Sequence, residues 1–150
     1  MMARTFDITP ASSAPLITIL AIGIFLILLL GFFAFIGYSA RNTKFEVSDQ
    51  GLRIKGGIYG RFIPKEEIAR ENVKIINLNT DPEYKPRIRT NGIGLPGYAE
   101  GWFKLKNNEK ALLFVTDRSN VVYIPTNKDY SVLLSVSNSE EFCQSMELWE

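Results

Sequence analysis

The stretch LITILAIGIFLILLLGFFAFIG, residues 16–37, decides how this chain is organised. It is 22 residues long and contains no charged side chain and no Asn, Gln or Pro. A helix of that length measures about 33 Å, enough to cross a hydrocarbon core of about 30 Å. The stretch predicts a transmembrane helix over residues 16–38. It would be preceded by a flexible tail at 1–15 and followed by a short linker at 39–43.

A cleaved signal peptide and a buried helix of a soluble protein are the two alternatives for this stretch. The apolar region of a signal peptide has about 7–15 residues and follows a basic segment, whereas this one is longer and no basic segment adjoins it. Helices that pack on a soluble core keep one polar face, and this stretch is apolar on every face. We therefore expect a single-pass protein of the cell membrane that contacts the lipid bilayer.

The charges that flank the apolar stretch predict its orientation. Arg41, Lys44 and Arg53 follow it within about 20 residues, the window used for the positive-inside rule, and only Arg4 precedes it. This asymmetry favours a cytoplasmic C-terminal part and an N-terminus outside. Anionic headgroups attract cations near the bilayer surface, so Arg41, Lys44, Arg53 and Lys55 are the candidate membrane-surface contacts.

Composition excludes several kinds of chemistry. The chain has no histidine, which removes Ser-His triads and His-ligated metals, and its single cysteine, Cys143, allows no internal disulfide. The 17 basic and 16 acidic residues nearly balance, and they form no basic stripe of the kind that binds nucleic acid. We expect no catalytic residue, no metal, no cofactor and no nucleic-acid partner, and hence a protein that is not an enzyme.

The region after the apolar stretch has the pattern of short strands and turns. Residues 45–48 and 52–55 alternate apolar and polar side chains, and Gly56-Gly57 is typical of a two-residue hairpin turn. Residues 63–68 have the composition of one helical turn. Residues 79–98 contain three prolines and three glycines and are expected to be mostly irregular, with a short strand at 87–89. Further strands are predicted at 73–78, 101–106, 112–115, 121–124 and 130–136, with 112–115 buried on both faces.

A helix is predicted at the C-terminal end. Ser137 and Glu140 form an S-x-x-E capping box, and Phe142, Met146 and Trp149 fall on one helical face. Cys143 lies beside that face and is expected to be a buried structural thiol. The fold class is therefore α+β and mainly β. A transmembrane helix precedes about seven antiparallel strands, which form a partly open barrel or sandwich capped by a C-terminal helix.

Seven short stretches recur in order through residues 44–150: VSDQGL at 47–52, IPKEEI at 63–68, RIRTNG at 87–92, GLPGY at 94–98, GWF at 101–103, YIPT at 123–126 and SEEF at 139–142. On these stretches, residues 44–150 resemble the bacterial pleckstrin-homology-like (PH-like) domain family. It implies the partly open barrel or pair of packed sheets with a capping helix. It implies no activity, because the wider superfamily contains both lipid-binding and peptide-binding members.

The predicted loop at residues 84–101 is the best candidate for a ligand-binding site. Arg87 and Arg89 share a face if the segment is extended, and arginine suits carboxylate or phosphate. Nearby glycines would let backbone N–H groups approach an anion, and Trp102 could line a peptide groove. The predicted site residues are Arg87, Arg89, Gly92, Gly94, Gly97 and Trp102. These glycines match G-x-G-x-x-G, but Pro96 lies inside the pattern and no helix is expected after it, so a dinucleotide loop is not predicted.

These observations lead to one functional hypothesis and one alternative. The hypothesis is a membrane-anchored PH-like scaffold domain for protein–protein interaction, with another membrane protein or a second copy of the chain as partner. The alternative is a receptor for anionic lipid headgroups or for a small anionic ligand.

Overall fold

The computed structural model describes residues 3–149, which divide into two compact units, one ending at Tyr38 and the other beginning at Ser39. The first unit contains an exposed segment without helix or strand at residues 3–13, followed by helix α1 (Ala14–Asn42), which continues into the second unit. A window of α1 has a mean hydropathy of 3.1, and the helix is long and apolar enough to cross a membrane. This is consistent with a membrane location.

Helix α1 extends past both ends of the predicted transmembrane segment. Its last turn covers residues 39–42, which were expected to be a linker. Neither proline nor glycine interrupts this turn, and Thr43 closes it because its N–H and its Oγ1 both donate to the carbonyl of Ser39, at 3.2 and 2.9 Å. Only Thr43 then separates the helix from the first strand.

Nine strands in two open sheets follow within the described residues. The three-stranded sheet is antiparallel and has the order β1 (Lys44–Ser48), β2 (Gly51–Lys55), β3 (Phe62–Pro64). The six-stranded sheet has the order β4-β8-β9-β7-β6-β5. Its members are β4 (Lys74–Ile76), β5 (Pro86–Leu95), β6 (Tyr98–Leu105), β7 (Lys110–Val115), β8 (Val121–Pro125) and β9 (Tyr130–Leu134). Three short 3₁₀ turns lie at Lys65–Glu67, Arg70–Asn72 and Pro82–Tyr84, and helix α2 covers Ser139–Glu147.

Two features of the sheets differ from the sequence prediction. The described part of the chain has nine strands rather than about seven, and β7 and β9 are parallel neighbours rather than antiparallel. The parallel pair arises because β8 does not pair with β7. Strand β9 lies between them and pairs with β7 on one side and with β8 on the other. The predicted fold class is otherwise confirmed: mainly β, open rather than closed into a barrel, with a helix at each end of the chain.

An apolar cluster lies on each face of the six-stranded sheet. On one face Leu112 and Phe114 of β7 join a cluster that includes residues of the three-stranded sheet and of α2. On the other face Leu113 and Val115 of the same strand join a second cluster with β4, β6, β8 and β9. The continuous apolar run of β7 was predicted to be buried on both faces, and the structure confirms this.

The longest strand of the domain lies where an irregular segment was expected. Strand β5 spans ten residues within the region 79–98. Pro86 begins the strand and Pro96 lies in the turn after it, so neither proline interrupts the ladder. Gly92 allows β5 to lie close to β6, because a Cβ at this position would be 2.4 Å from the carbonyl oxygen of Glu100. The prolines and glycines that suggested a loop therefore lie at the ends of a strand or allow it to pack closely against its neighbour.

Two local predictions were wrong in detail. The predicted two-residue turn at Gly56-Gly57 is a longer loop, residues 56–61, between β2 and β3. The cap of α2 is Asn138 rather than Ser137, since the Asn138 side chain accepts a hydrogen bond from the Glu141 N–H at 3.3 Å. The apolar face predicted for α2 and the residues after it is confirmed, because its three members are buried in the core: Phe142, Met146 and Trp149.

Candidate functional site: the β5 edge and its cationic aromatic border

The predicted site residues lie on two neighbouring strands at one edge of the six-stranded sheet. Arg87, Arg89, Gly92 and Gly94 are on β5, Gly97 is in the turn that follows, and Trp102 is on β6. Among residues 3–149, strand β5 pairs only with β6 and forms the edge of the sheet. The G-x-G-x-x-G pattern therefore lies in a strand and its turn, and the element that follows is a strand rather than a helix.

The two arginines of β5 are exposed. The prediction that they share a face assumed a regular strand. The strand is irregular here, because its register with β6 shifts between Pro86 and Ile88 and again between Arg89 and Asn91. The Arg87 guanidinium donates to Asn108 Oδ1 at 3.0 Å. Among the described residues neither arginine forms a salt bridge with Asp81, with Glu83 or with any other carboxylate. The charge of both guanidinium groups is thus available to a ligand.

Trp102 is the centre of a group of cations and rings. The Arg61 guanidinium lies 4.8 Å from the Trp102 ring centroid, and the Lys110 ammonium lies 4.6 Å from it. The ring of Tyr130 packs edge-on against Trp102 with 5.2 Å between centroids, and Arg61 lies 6.0 Å from the Tyr130 ring. Cations attract the face of an aromatic ring by about 0.5–2 kcal/mol, depending on exposure. Here the rings hold positive charge at the surface without neutralising it.

An open cavity of about 510 Å³ connects this group to β5. It is lined by Thr90, Asn91, Trp102, Phe103, Lys104, Asn108 and Lys110. Lys104 and Lys110 are direct cross-strand partners, and Ile88 of β5 is the partner of Lys104 on the other side. Like charges placed opposite each other are unfavourable, and within residues 3–149 neither lysine has a carboxylate oxygen within 4 Å. The cavity therefore concentrates positive charge beside the sheet edge.

The residues of this group that the sequence did not single out as site residues are Arg61, Lys104, Lys110 and Tyr130. Lys104 could have been found, because it alternates with Trp102 along β6 and must share its face. Lys110 and Tyr130 could not, since they reach Trp102 only through the pairing of β6 with β7 and of β7 with β9. The last of these pairings is the parallel one, which the sequence did not predict.

A buried carboxylate positions the loop that carries Arg61. Glu100 is fully buried, and its Oε1 accepts hydrogen bonds from the N–H groups of Ile58 and Tyr59 at 2.8 and 3.4 Å. Its Oε2 accepts from the hydroxyls of Tyr98 and Ser39, the latter at 3.3 Å. Within the described residues no cation lies within 4 Å of Glu100, so hydrogen-bond donors alone stabilise it. Glu100 thereby fixes the loop at 56–61 against the sheet.

Burial of the Tyr98 phenol and its hydrogen bond to Glu100 raise the pKa of Tyr98 to about 12. A similar arrangement lies on the other face of the sheet. There Tyr123 donates to both oxygens of Glu109, at 2.9 and 3.1 Å, and Ser131 donates to Oε1 at 2.7 Å. Burial and this carboxylate raise the pKa of Tyr123 to about 12. Both tyrosines are therefore neutral donors at physiological pH and serve the packing of the sheet.

The predicted membrane-surface residues are all exposed. Lys44 and Lys55 are cross-strand partners in the β1–β2 hairpin, and Arg41 lies in the last turn of α1. Lys55 forms a salt bridge with Glu46, and the Arg53 guanidinium lies 5.1 Å from the Phe62 ring centroid. The hairpin thus carries a mixed but mainly basic surface, distinct from the cluster around Trp102.

Cys143, predicted to be a buried structural thiol, is partly buried beside the apolar face of α2. Burial and the nearby Glu147 carboxylate raise the pKa of its thiol. Within residues 3–149, no group of three or more Cys, Asp or Glu is arranged to hold a metal ion.

A family model described as "Bacterial PH domain" matches residues 43–148, which is most of the chain. The chain therefore belongs to the bacterial PH domain family, as the resemblance in the sequence implied. No curated protein and no solved structure matches it.

Proposed function

We propose that this chain is a single-pass membrane protein whose PH domain binds another protein at the membrane and catalyses no reaction. PH domains are generally binding or scaffold modules, and helix α1 has the length and composition of a membrane anchor. The domain would lie on the cytoplasmic side, as the flanking charges favour. Such an anchor restricts the available partners to molecules in or at the same membrane.

The observation that supports this proposal best is the open edge formed by β5. A sheet edge presents unpaired backbone N–H and C=O groups and can accept a further strand from another chain. β5 is ten residues long and mostly exposed, whereas β4, the edge at the other side of the sheet, has only three residues. A long edge offers many backbone hydrogen bonds to a partner, and a short one offers few.

The proposal is tested by photo-crosslinking in native membranes with the full-length chain. A photoreactive amino acid at Ile88, which is 50% exposed on β5, should give one defined adduct with a partner protein. The matched control is Ile75 on β4, which is 44% exposed and should give none. The proposal would be contradicted if photoreactive residues at positions 88, 93 and 95 all gave no product other than uncrosslinked chain. Adducts whose mass equals two copies of the chain would identify the partner as a second copy.

The alternative function, binding of anionic headgroups or a small anion, is favoured by the exposed basic surface of the β1–β2 hairpin and α1. Lys44 and Arg41 have no carboxylate within 4 Å among residues 3–149. Flotation of the chain, held in neutral nanodiscs, with anionic vesicles would support it. Loss of that flotation in the Arg41→Glu/Lys44→Glu variant would locate the contact.

A further inference from the structure

We infer that the segment which β5 accepts is an extended stretch of protein rich in Asp and Glu. This rests on the proposed function, because it names the chemistry of the partner that the β5 edge binds. Its carboxylates would meet the cations beside that edge, while its backbone would continue the sheet.

The backbone part of the contact is assigned to residues 91–95. Over these residues the register of β5 with β6 is unbroken, so the strand is regular there. Gly92 and Gly94 present no side chain along this stretch, so neither position obstructs an incoming strand. At about 3.4 Å per residue, these five residues offer roughly 17 Å of pairing edge.

The charged part of the contact is assigned to the irregular half of β5 and its neighbours. Arg87 and Arg89 are exposed on β5, and Lys104 and Lys110 line the cavity next to it. Arg89 pairs with Phe103, so it approaches the edge from the face opposite to Lys104 and Lys110. Arg61 adds a fifth cation over the Trp102 ring. None of these five groups has a carboxylate within 4 Å in the described part of the chain. Charges on an edge strand oppose indiscriminate pairing, so a strand that does pair here must bring compensating charge.

Charge complementarity thus favours an acidic segment over the other possible occupants. A second copy of β5 would bring two more arginines and no carboxylate to the edge. A lipid headgroup could meet the cations but would leave the backbone groups of residues 91–95 unpaired. A neutral strand could pair with those groups but would leave the cations without counter-charge. Only an acidic extended segment satisfies both parts of the surface.

The test uses the full-length chain in neutral nanodiscs and ten-residue fluorescent peptides that alternate Glu with Val. Fluorescence anisotropy should show binding of the Glu peptide, with about tenfold or greater weakening when Gln replaces Glu. Added salt should weaken the Glu peptide more than the Gln peptide, because charge is screened. Methylation of alternate backbone nitrogens in the Glu peptide should abolish binding, because it removes the donors of the added strand.

Matched variants locate the contact. Arg87→Glu/Arg89→Glu should weaken binding of the Glu peptide about tenfold or more, whereas Arg41→Glu/Lys44→Glu, with the same change in charge, should leave it unchanged. Equal binding of the Glu and Gln peptides would overturn the inference. A second result would also overturn it: no peptide binds, while anionic vesicles bind the wild-type chain and do not bind the Arg87→Glu/Arg89→Glu variant. If crosslinking from Ile88 succeeds but the Glu peptide does not bind, the proposed function stands and the acidic partner is wrong.

Discussion

At the scale of single residues, Glu100 links the core of the sheet to the surface that we assign to binding. Its carboxylate needs space as well as donors, and Gly57 provides that space. A Cβ at Gly57 would lie 2.1 Å from Glu100 Oε1. The backbone of Gly57 has φ of 70°, a conformation that side chains disfavour, so substitution there meets two obstacles.

The Gly57→Ala substitution should therefore destabilise the domain more than its backbone conformation alone explains. Gly97 is the matched control, because it has a similar φ of 76° and a methyl group on its Cα would meet no atom within 4 Å. We expect Gly97→Ala to cost about 1–2 kcal/mol of unfolding free energy and Gly57→Ala clearly more. Thermal or urea unfolding of the two variants measures the difference, and equal losses would contradict the role assigned to Glu100.

The hydroxyl of Tyr98 gives a second prediction at this scale, in alkaline solution. Its pKa is about 12 in the folded domain against an ordinary value of 10.0, so folding favours the neutral phenol. The resulting stabilisation is complete below pH 10 and is lost as the pH rises toward 12. Between these limits the wild-type chain should lose more thermal stability than Tyr98→Phe does. In a titration followed by phenolate absorbance, the wild-type chain should also show a group that ionises only at high pH, and Tyr98→Phe should lack it.

At the scale of elements, helix α2 shows how close a sequence motif comes to the structure. The sequence contains both Ser137 with Glu140 and Asn138 with Glu141 at capping-box spacing, so the pattern alone does not select between them. The structure selects Asn138, whose side chain also donates to the Glu141 carboxylate at 2.8 Å. The burial of Phe142 and Met146 is compatible with either cap, so only the hydrogen bonds of the structure distinguish the two.

Asn138→Ala should accordingly cost about 0.5–2 kcal/mol of unfolding free energy. Ser137 is exposed, and Ser137→Ala is the matched control that should have little effect. Chemical denaturation of both variants, followed by circular dichroism, measures the two changes. A greater loss of unfolding free energy in Ser137→Ala than in Asn138→Ala would indicate that Ser137 is the cap, as the sequence predicted.

Strand β5 illustrates why the candidate site was only partly predictable. Arg87, Arg89 and Trp102 were identified from residue type, and the structure brings them to one sheet edge. The prolines and glycines of this region suggested a loop, because their preference for turns is local information. Pairing with β6 overrides that preference, since the ladder supplies hydrogen bonds that an isolated segment lacks.

At the scale of the whole molecule, the order of helix, strands and helix was predictable and the sheet topology was not. Periodicity and turn residues are local signals, and they located most of the strands. The position of β9 between β8 and β7 depends on contacts between distant parts of the chain, and residue pattern does not encode them directly. The same limit applies to the cluster at Trp102, which those pairings assemble.

Orientation in the membrane gives the prediction that belongs to this scale. In a Cys143→Ser background, single cysteines replace Ser12, which precedes α1, or Lys106, which is exposed in the turn after β6. A membrane-impermeant maleimide should label Ser12→Cys in intact cells, and Lys106→Cys only after the membrane is opened. The opposite pattern would place the domain on the outer side and would contradict the orientation that the flanking charges favour.

The parallel neighbours β7 and β9 also have a consequence for how the domain is assembled during synthesis. Strands β5, β6 and β7 form one antiparallel group, and β4 with β8 forms another. In the part of the chain that the structure describes, only β9, which is made after all of them, joins the two groups, and residues 131–134 of this strand are fully buried. The nascent chain must therefore carry two incomplete half-sheets with exposed apolar faces until β9 emerges. Because α1 is synthesised before every strand, the membrane anchor that we propose could enter the bilayer while the domain behind it is still open.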